Sequence, residues 1–215
     1  MKQIDCTFCI ITAPRTVNTI DKSIASLRAA GITETLFIFA EPDAKIPEDE
    51  KIIVIQNAEK REYFKNFANT LECIWFNRPF TVVLSDDFIY HKNLIEYLEP
   101  VNDSGTFLMY TDAALFNKFN EKPQWKAINE GWNTHGGLFI MAKGTIKKMI
   151  DSESYKNHRD SYAKNMQIDS FVGKWHKENE IPTFYHNPSL TEHFGKDSST
   201  LGHEHTNYGL GWEKQ

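Results

Sequence analysis

Two adjacent carboxylates, Asp86 and Asp87, follow the run Thr81-Val82-Val83-Leu84. That run of β-branched and aliphatic residues reads as a buried strand which stops at Ser85. The carboxyl ends of strands in an open α/β sheet border the crevice where ligands bind. Paired carboxylates there suit a hard divalent cation or the hydroxyls of a nucleotide ribose. Ser and Asp are also ordinary turn formers, so a plain strand-ending turn is the competing reading.

Other reactive residue types give weaker patterns. Cys6 and Cys9 form a C-x-x-C inside an apolar run, where a strand would point them to opposite faces. Two buried thiols are expected there, not a redox or zinc pair. Cys73 falls in a helical pattern and is expected to be packed. His203-Glu204-His205 brackets an acid with two imidazoles, but lacks the i,i+4 spacing of H-E-x-x-H and lies in a polar tail. No G-x-x-x-x-G-K-[ST] loop follows the first strand.

The elements that must position these groups alternate. Phe8–Thr12, Leu36–Ala40, Ile52–Ile55 and the Phe80 run read as strands. Between them, Ile20, Ile24 and Leu27, closed by Gly31, mark one amphipathic helix, and Phe64, Phe67, Ala68, Leu71, Ile74 and Trp75 mark another. Alternating strands and helices predict a mostly parallel, helix-covered α/β sheet. Further on, Leu94, Ile95 and Leu98 suggest a short helix ended by Pro100. Thr106–Tyr110, Leu138–Ala142 and Ile181–Tyr185 read as strands, with helices at Thr145–Ile150 and around Asp169–Trp175. The connection between the strands at 106 and 138, carrying Trp125 and Trp132, reads as long and irregular, a feature of functional segments.

Composition sets outer bounds. The 215 residues suffice for one core, and without repeats or a low-complexity linker a single domain over 1–215 is expected. A net charge of -5 leaves no overall electrostatic footprint for nucleic acid, although a local patch around Lys118–Lys126 remains open. Neither a twenty-residue apolar segment nor a basic start leading into an apolar core is present, so a cytoplasmic protein without a membrane span is expected.

With these residues in view, the chain resembles the GT-A glycosyltransferases that use nucleotide-sugar donors, with a Rossmann-like sheet covered by helices on both faces. Ser85-Asp86-Asp87 looks like the D-x-D or E-D-D motif and Gly136-Gly137 like the glycine loop. Asp169 looks like the catalytic base, and His193 like the C-terminal histidine of the metal site. Pro188 to Ser199 is also similar to a segment of the N-acetylglucosaminyltransferase IV-like branch. Two positions depart from the pattern: Ser85 replaces the first acid, and Ile168 replaces the acidic neighbour of Asp169.

The resemblance implies an inverting hexosyl- or pentosyltransferase with a nucleotide-binding half over 1–100 and an acceptor-binding half with a tail over 101–215. Asp87 and His193 would ligate Mn2+ or Mg2+, with His203 or His205 as substitutes for His193. Ala13, Arg15, Glu41, Asp43, Asp86, Gly136, Gly137 and Lys196 would contact the donor, with Arg15 or Lys196 on its diphosphate. Asp169 would be the general base, or else an acid favoured by a helix N-terminus. Trp125 and Trp132 would stack on the acceptor, or else pack on the core. The acceptor is a glycan or another hydroxyl-bearing molecule, a modified nucleobase in DNA included. Two alternatives stay open, a non-catalytic nucleotide-sugar-binding protein and a nucleotidyltransferase-like two-metal enzyme.

Overall fold

The fold is taken from a computed structural model, which describes residues 5–98, 105–111, 124–128, 138–161 and 168–194. The first apolar run forms β1 (Cys6–Thr12), buried at all seven positions because helices cover both of its faces. Helix α1 (Ile20–Ala29) buries the stripe Ile20, Ser23, Ile24 and Leu27. It ends before Gly31, whose φ of 90° lies in the left-handed region that a residue with a Cβ rarely adopts. A Cβ at Gly31 would also meet Ile95 Cδ1 at 2.9 Å.

Next come β2 (Leu36–Ala40), β3 (Ile52–Gln56), α2 (Glu62–Ile74) and β4 (Phe80–Ser85). They build a parallel block in the order β3-β2-β1-β4. The second half adds β5 (Phe88–Tyr90), α3 (Leu94–Leu98), β6 (Thr106–Leu108), β7 (Gln124–Ile128) and β8 (Phe139–Ala142). After these come α4 (Lys143–Asp151), α5 (Glu153–Ser161), α6 (Ile168–Glu178), β9 (Thr183–Asn187) and β10 (Thr191–His193).

The full sheet has eight strands, β3-β2-β1-β4-β8-β6-β9-β7, and β5 and β10 form a separate two-stranded ribbon. The sheet is mixed, where the sequence predicts mostly parallel pairing: β8 runs against both β4 and β6, and β7 runs against β9. A buried apolar run such as Phe139–Ala142 reads the same in either direction, so its polarity does not show in the pattern.

Side chains alternate across the sheet into two cores. Phe8, Ile10, Ile38 and Leu84 pack with α1 and α3 on one face. Cys9, Ile11, Phe39 and Val83 pack with α2, α4, α5 and α6 on the other. Cys6 and Cys9 fall into opposite cores as expected, and both are free thiols. Burial, with the nearby acids Asp5 and Glu34, pushes the Cys6 thiol up to about 12, and burial raises Cys9 well above its ordinary value. Cys73 is exposed, contrary to expectation, because the buried stripe of α2 runs through Phe67, Ala68, Leu71 and Ile74 and leaves position 73 on the other side. No helix among the described residues is long and apolar enough to cross a membrane.

Two buried histidines lie on opposite faces of the sheet, His176 on α6 in the second core and His186 on β9 against Tyr97 and Trp125 beside the first. A carbonyl only accepts, so His176 Nδ1–H donates to Val172 O (2.6 Å) and Nε2 accepts from Thr106 Oγ1 (2.6 Å). By the same reasoning, His186 Nδ1–H donates to Pro188 O at 2.6 Å. Burial lowers both from 6.5 to about 4, against the opposing effect of those carbonyl contacts. The unfolded chain therefore binds more protons between these values. The stability that the neutral rings contribute is complete above pH 6.5 and is lost as pH falls towards 4. Urea unfolding from pH 7.5 to 4 should show a decline to which His176 contributes roughly 3 kcal/mol. A flat profile across that window would mean that the rings are not held neutral in the fold.

Candidate functional site

Strand direction decides which groups meet. β1, β2, β3 and β4 are parallel, β6 is reversed from β8 as β4 is, and β9 is parallel to β6. The carboxyl ends of β1, β4, β6 and β9 therefore share one edge. Helix α6 turns into β9 through residues 179–182 and so runs against it, which brings the N-terminus of α6, with Asp169 as its second residue, to that same edge. The chain enters β8 there too, since Phe139 pairs with Val83.

The ribbon closes the edge. Thr191, Glu192 and His193 of β10 pair with Tyr90, Ile89 and Phe88 of β5, and the Phe194 amide donates to Asp87 O at 3.1 Å. Ser189 anchors the approach: its Oγ accepts the Thr111 amide (3.1 Å) and donates to Thr191 O (2.7 Å), while the Leu190 amide donates to Met109 O (2.8 Å). This fixed turn places His193 beside an acid 106 positions earlier, with Nε2 3.1 Å from Asp87 Oδ2.

Both carboxylates are buried, Asp86 at 1% exposure and Asp87 at 7%. Arg15 forks onto Asp86, with Nη2 at 2.6 Å from Oδ1 and Nε at 3.0 Å from Oδ2, and its Nη2 also lies 3.1 Å from Asp87 Oδ2. Thr12 Oγ1 donates to Asp86 Oδ2 at 2.5 Å. Ser85 Oγ donates to Asp87 Oδ1 at 2.7 Å, and Tyr90 OH holds the Ser85 carbonyl at 3.0 Å. Ser85 thus orients the acid two residues further on. The sequence reading does not name Thr12 or Ser85 as partners of the pair; a hydroxyl on the last residue of the first strand is the signal that could have found Thr12.

These contacts split the pair electrostatically. Burial raises Asp86, and the Arg15 and Thr12 contacts only partly offset that rise, to which the Asp87 charge adds. For Asp87 burial also pushes upward, but the His193 hydrogen bond, the Arg15 and His193 charges and the Ser85 hydroxyl outweigh it and hold the carboxyl below its ordinary range. Asp87 is the firm anion of the two.

Asp87 Oδ2 and His193 Nε2, in hydrogen-bond contact at 3.1 Å, are the two donors here that could hold a divalent cation. No group of three or more His, Cys, Asp or Glu side chains suited to a metal occurs among the described residues. Further ligands would be phosphate oxygens and water, as is usual for Mg2+ at nucleotide sites. An ion seated there would compete with Arg15 for the same Asp87 oxygen.

Other expected site residues have different surroundings. Glu41 lies at the same edge, but its Oε2 accepts the Arg61 amide at the start of α2 (2.7 Å) and its Oε1 faces Asn57 Nδ2 (3.5 Å). Asp43 is exposed in the turn after β2 with φ 65°, and Ala13 is half-buried between Thr12 and Arg15. Trp125 sits on β7, four strand spacings or about 19 Å along the sheet from β4. Its indole N–H donates to Tyr97 O (2.8 Å), and its ring packs edge-on against Phe107 and His186. Gly136, Gly137, Trp132, Lys196, His203 and His205 lie outside the described residues, as does the side chain of Asp169.

A scan against protein-family models and a search of the curated proteins each return no match for this chain.

Removing Arg15 would leave the buried Asp86 carboxylate without its cation. Arg15→Ala should destabilise the fold by roughly 3 kcal/mol, and adding Asp86→Asn should recover part of that loss because the uncompensated charge is gone. Chemical denaturation of both single variants and the double variant measures this, and strict additivity would contradict the pairing.

Proposed function

We propose that this protein is a divalent-cation-dependent, inverting glycosyltransferase of the GT-A fold that moves a sugar from a nucleotide-diphosphate donor to an acceptor hydroxyl. The observation that carries the reading is the meeting of Asp87 and His193 at 3.1 Å where β4 ends, with Arg15 beside them. A bound Mn2+ or Mg2+ would supply positive charge to offset the negative charge that develops on the departing diphosphate. Asp87 and His193 would hold it.

The chain's own residues would do the rest. Arg15, keeping Nε and Nη2 on Asp86, would give up the Asp87 oxygen to the ion and offer its remaining N–H donors to the diphosphate. Asp86, held by Thr12, would accept from ribose or sugar hydroxyls. Asp169, on the first turn of α6 at the same edge, would take the proton of the acceptor hydroxyl as its oxygen bonds to the anomeric carbon. The bond from that carbon to the phosphate oxygen breaks, its electron pair leaves with the diphosphate, and attack opposite the leaving group inverts the centre.

Nucleotide-sugar binding without transfer is a second reading, favoured by the guanidinium that already contacts both acids. Two-metal nucleotidyl transfer is less well supported, because Arg15 and Thr12 engage both Asp86 oxygens and leave one acid for metal.

A thermal-shift screen of nucleoside diphosphates and nucleotide sugars, with and without Mn2+, tests the proposal. A cognate donor at a hundred times its Kd should raise Tm by roughly 5 to 10 °C, and only with the ion present. Asp87→Ala and His193→Ala should each remove the Mn2+-dependent part, while Asp169→Asn should keep binding and lose transfer. A shift indifferent to Mn2+ and to Asp87→Ala would end the metal proposal, and binding without turnover across acceptors would favour the second reading.

A further inference from the structure

The sheet ends at β3, and among the described residues no strand pairs with its outer edge. The Leu36 amide donates to Lys51 O and the Asn57 amide to Ala40 O, each at 2.9 Å. Residues 51, 53, 55 and 57 therefore direct their backbone groups at β2, and Ile52, Val54 and Gln56 direct theirs outward. The Ile52 amide folds back to Asp49 O (3.0 Å), which leaves the outward positions Val54 and Gln56 as the natural pairing groups.

The strand Ile-Ile-Val-Ile-Gln has no charge, no proline and no glycine, so it lacks the devices that normally protect an edge. Ile53 is 48% exposed on one face and Val54 44% on the other. Beside Val54 a concavity of about 520 Å³ is rimmed by Ile46, Pro47 and Ile52 together with the acids Glu48, Asp49 and Glu50.

The flanks say what fits. Asp49, Glu50 and Lys51 precede the strand, and Glu59, Lys60 and Arg61 follow it. An antiparallel pairing of two copies with Ile55 on the two-fold axis brings the turn 49–51 of one copy, of net charge -1, to the side of the segment 59–61 of the other, of net charge +1. These flanking segments attract each other, although Asp49 already lies 3.5 Å from Arg28 of its own chain. The same register sets Val54 opposite Gln56, the two residues whose backbone groups face outward, so hydrogen bonding and charge select the same alignment.

We propose that β3 is a homodimer interface, in which a second copy of this chain continues the sheet by antiparallel β3–β3 pairing about Ile55. A five-residue edge with its flanks belongs to the small end of stable interfaces, so the dimer's Kd should be about micromolar.

Sedimentation equilibrium of the full chain tests it. The expected result is a species of twice 24.9 kDa at about 50 µM protein that dissociates on dilution. Val54→Lys, on an exposed position, should weaken association at least about tenfold with an unchanged circular dichroism spectrum. Glu50→Lys alone should also weaken it, and Glu50→Lys with Lys60→Glu should restore it, because the swap rebuilds the attraction between the flanks with reversed sign. A monomer at every concentration, or a dimer indifferent to Val54→Lys, overturns the interface. A dimer that breaks with Glu50→Lys and is not restored by the swap overturns the register. Should Val54→Lys alter the spectrum, the exposed charge variants decide the question.

Discussion

Three residue pairs between β5 and β10 hold the two halves of the site together. β5 begins directly after Asp87, and β10 ends at His193, so the ribbon leaves little freedom in the distance between acid and imidazole. Closing a loop of about a hundred residues has an entropic cost, and the covered turn through Ser189 and Leu190 offsets it with hydrogen bonds to Met109 and Thr111, just past β6. The ends of β4, β6 and β9 are thereby held in one frame.

Burying two adjacent carboxylates is the second constraint. Each ion taken out of water costs several kcal/mol unless a partner returns that energy. Arg15 faces both acids, Thr12 and Ser85 each orient one, and His193 approaches the oxygen that Arg15 also touches. A lysine could not replace the fork, since an ammonium is a point charge without the guanidinium's two parallel donors. The arrangement is also adaptable, because a cation at Asp87 would displace only the single Arg15 contact to that acid and leave the fork on Asp86 in place. That combination suits a site which must receive a highly charged ligand.

The sheet's two margins differ in how they are finished. At β7 the edge carries Trp125, whose indole covers Phe107 and reaches Tyr97 O. At β3 the apolar residues stand open and the charges lie only in the flanks. Pairing specificity at such an edge comes from the flanking charges, because the apolar residues alone would tolerate a slipped register.

The sequence by itself determined the strands and helices of the first ninety residues. Their apolar periods are strong, and residues such as Gly31 have one steric reason to stand where they do. It also determined that Asp86 and Asp87 end a central strand, since Phe80–Leu84 is too apolar to lie anywhere else. Tertiary structure alone decided the reversed direction of β8, the ribbon that fixes His193, and the roles of Thr12, Ser85 and Arg15 around the acids. Periodicity reports which face of an element is buried, a local property. Strand polarity and contacts between residues 71 to 106 positions apart depend on how the chain returns to the sheet, and no local pattern records that.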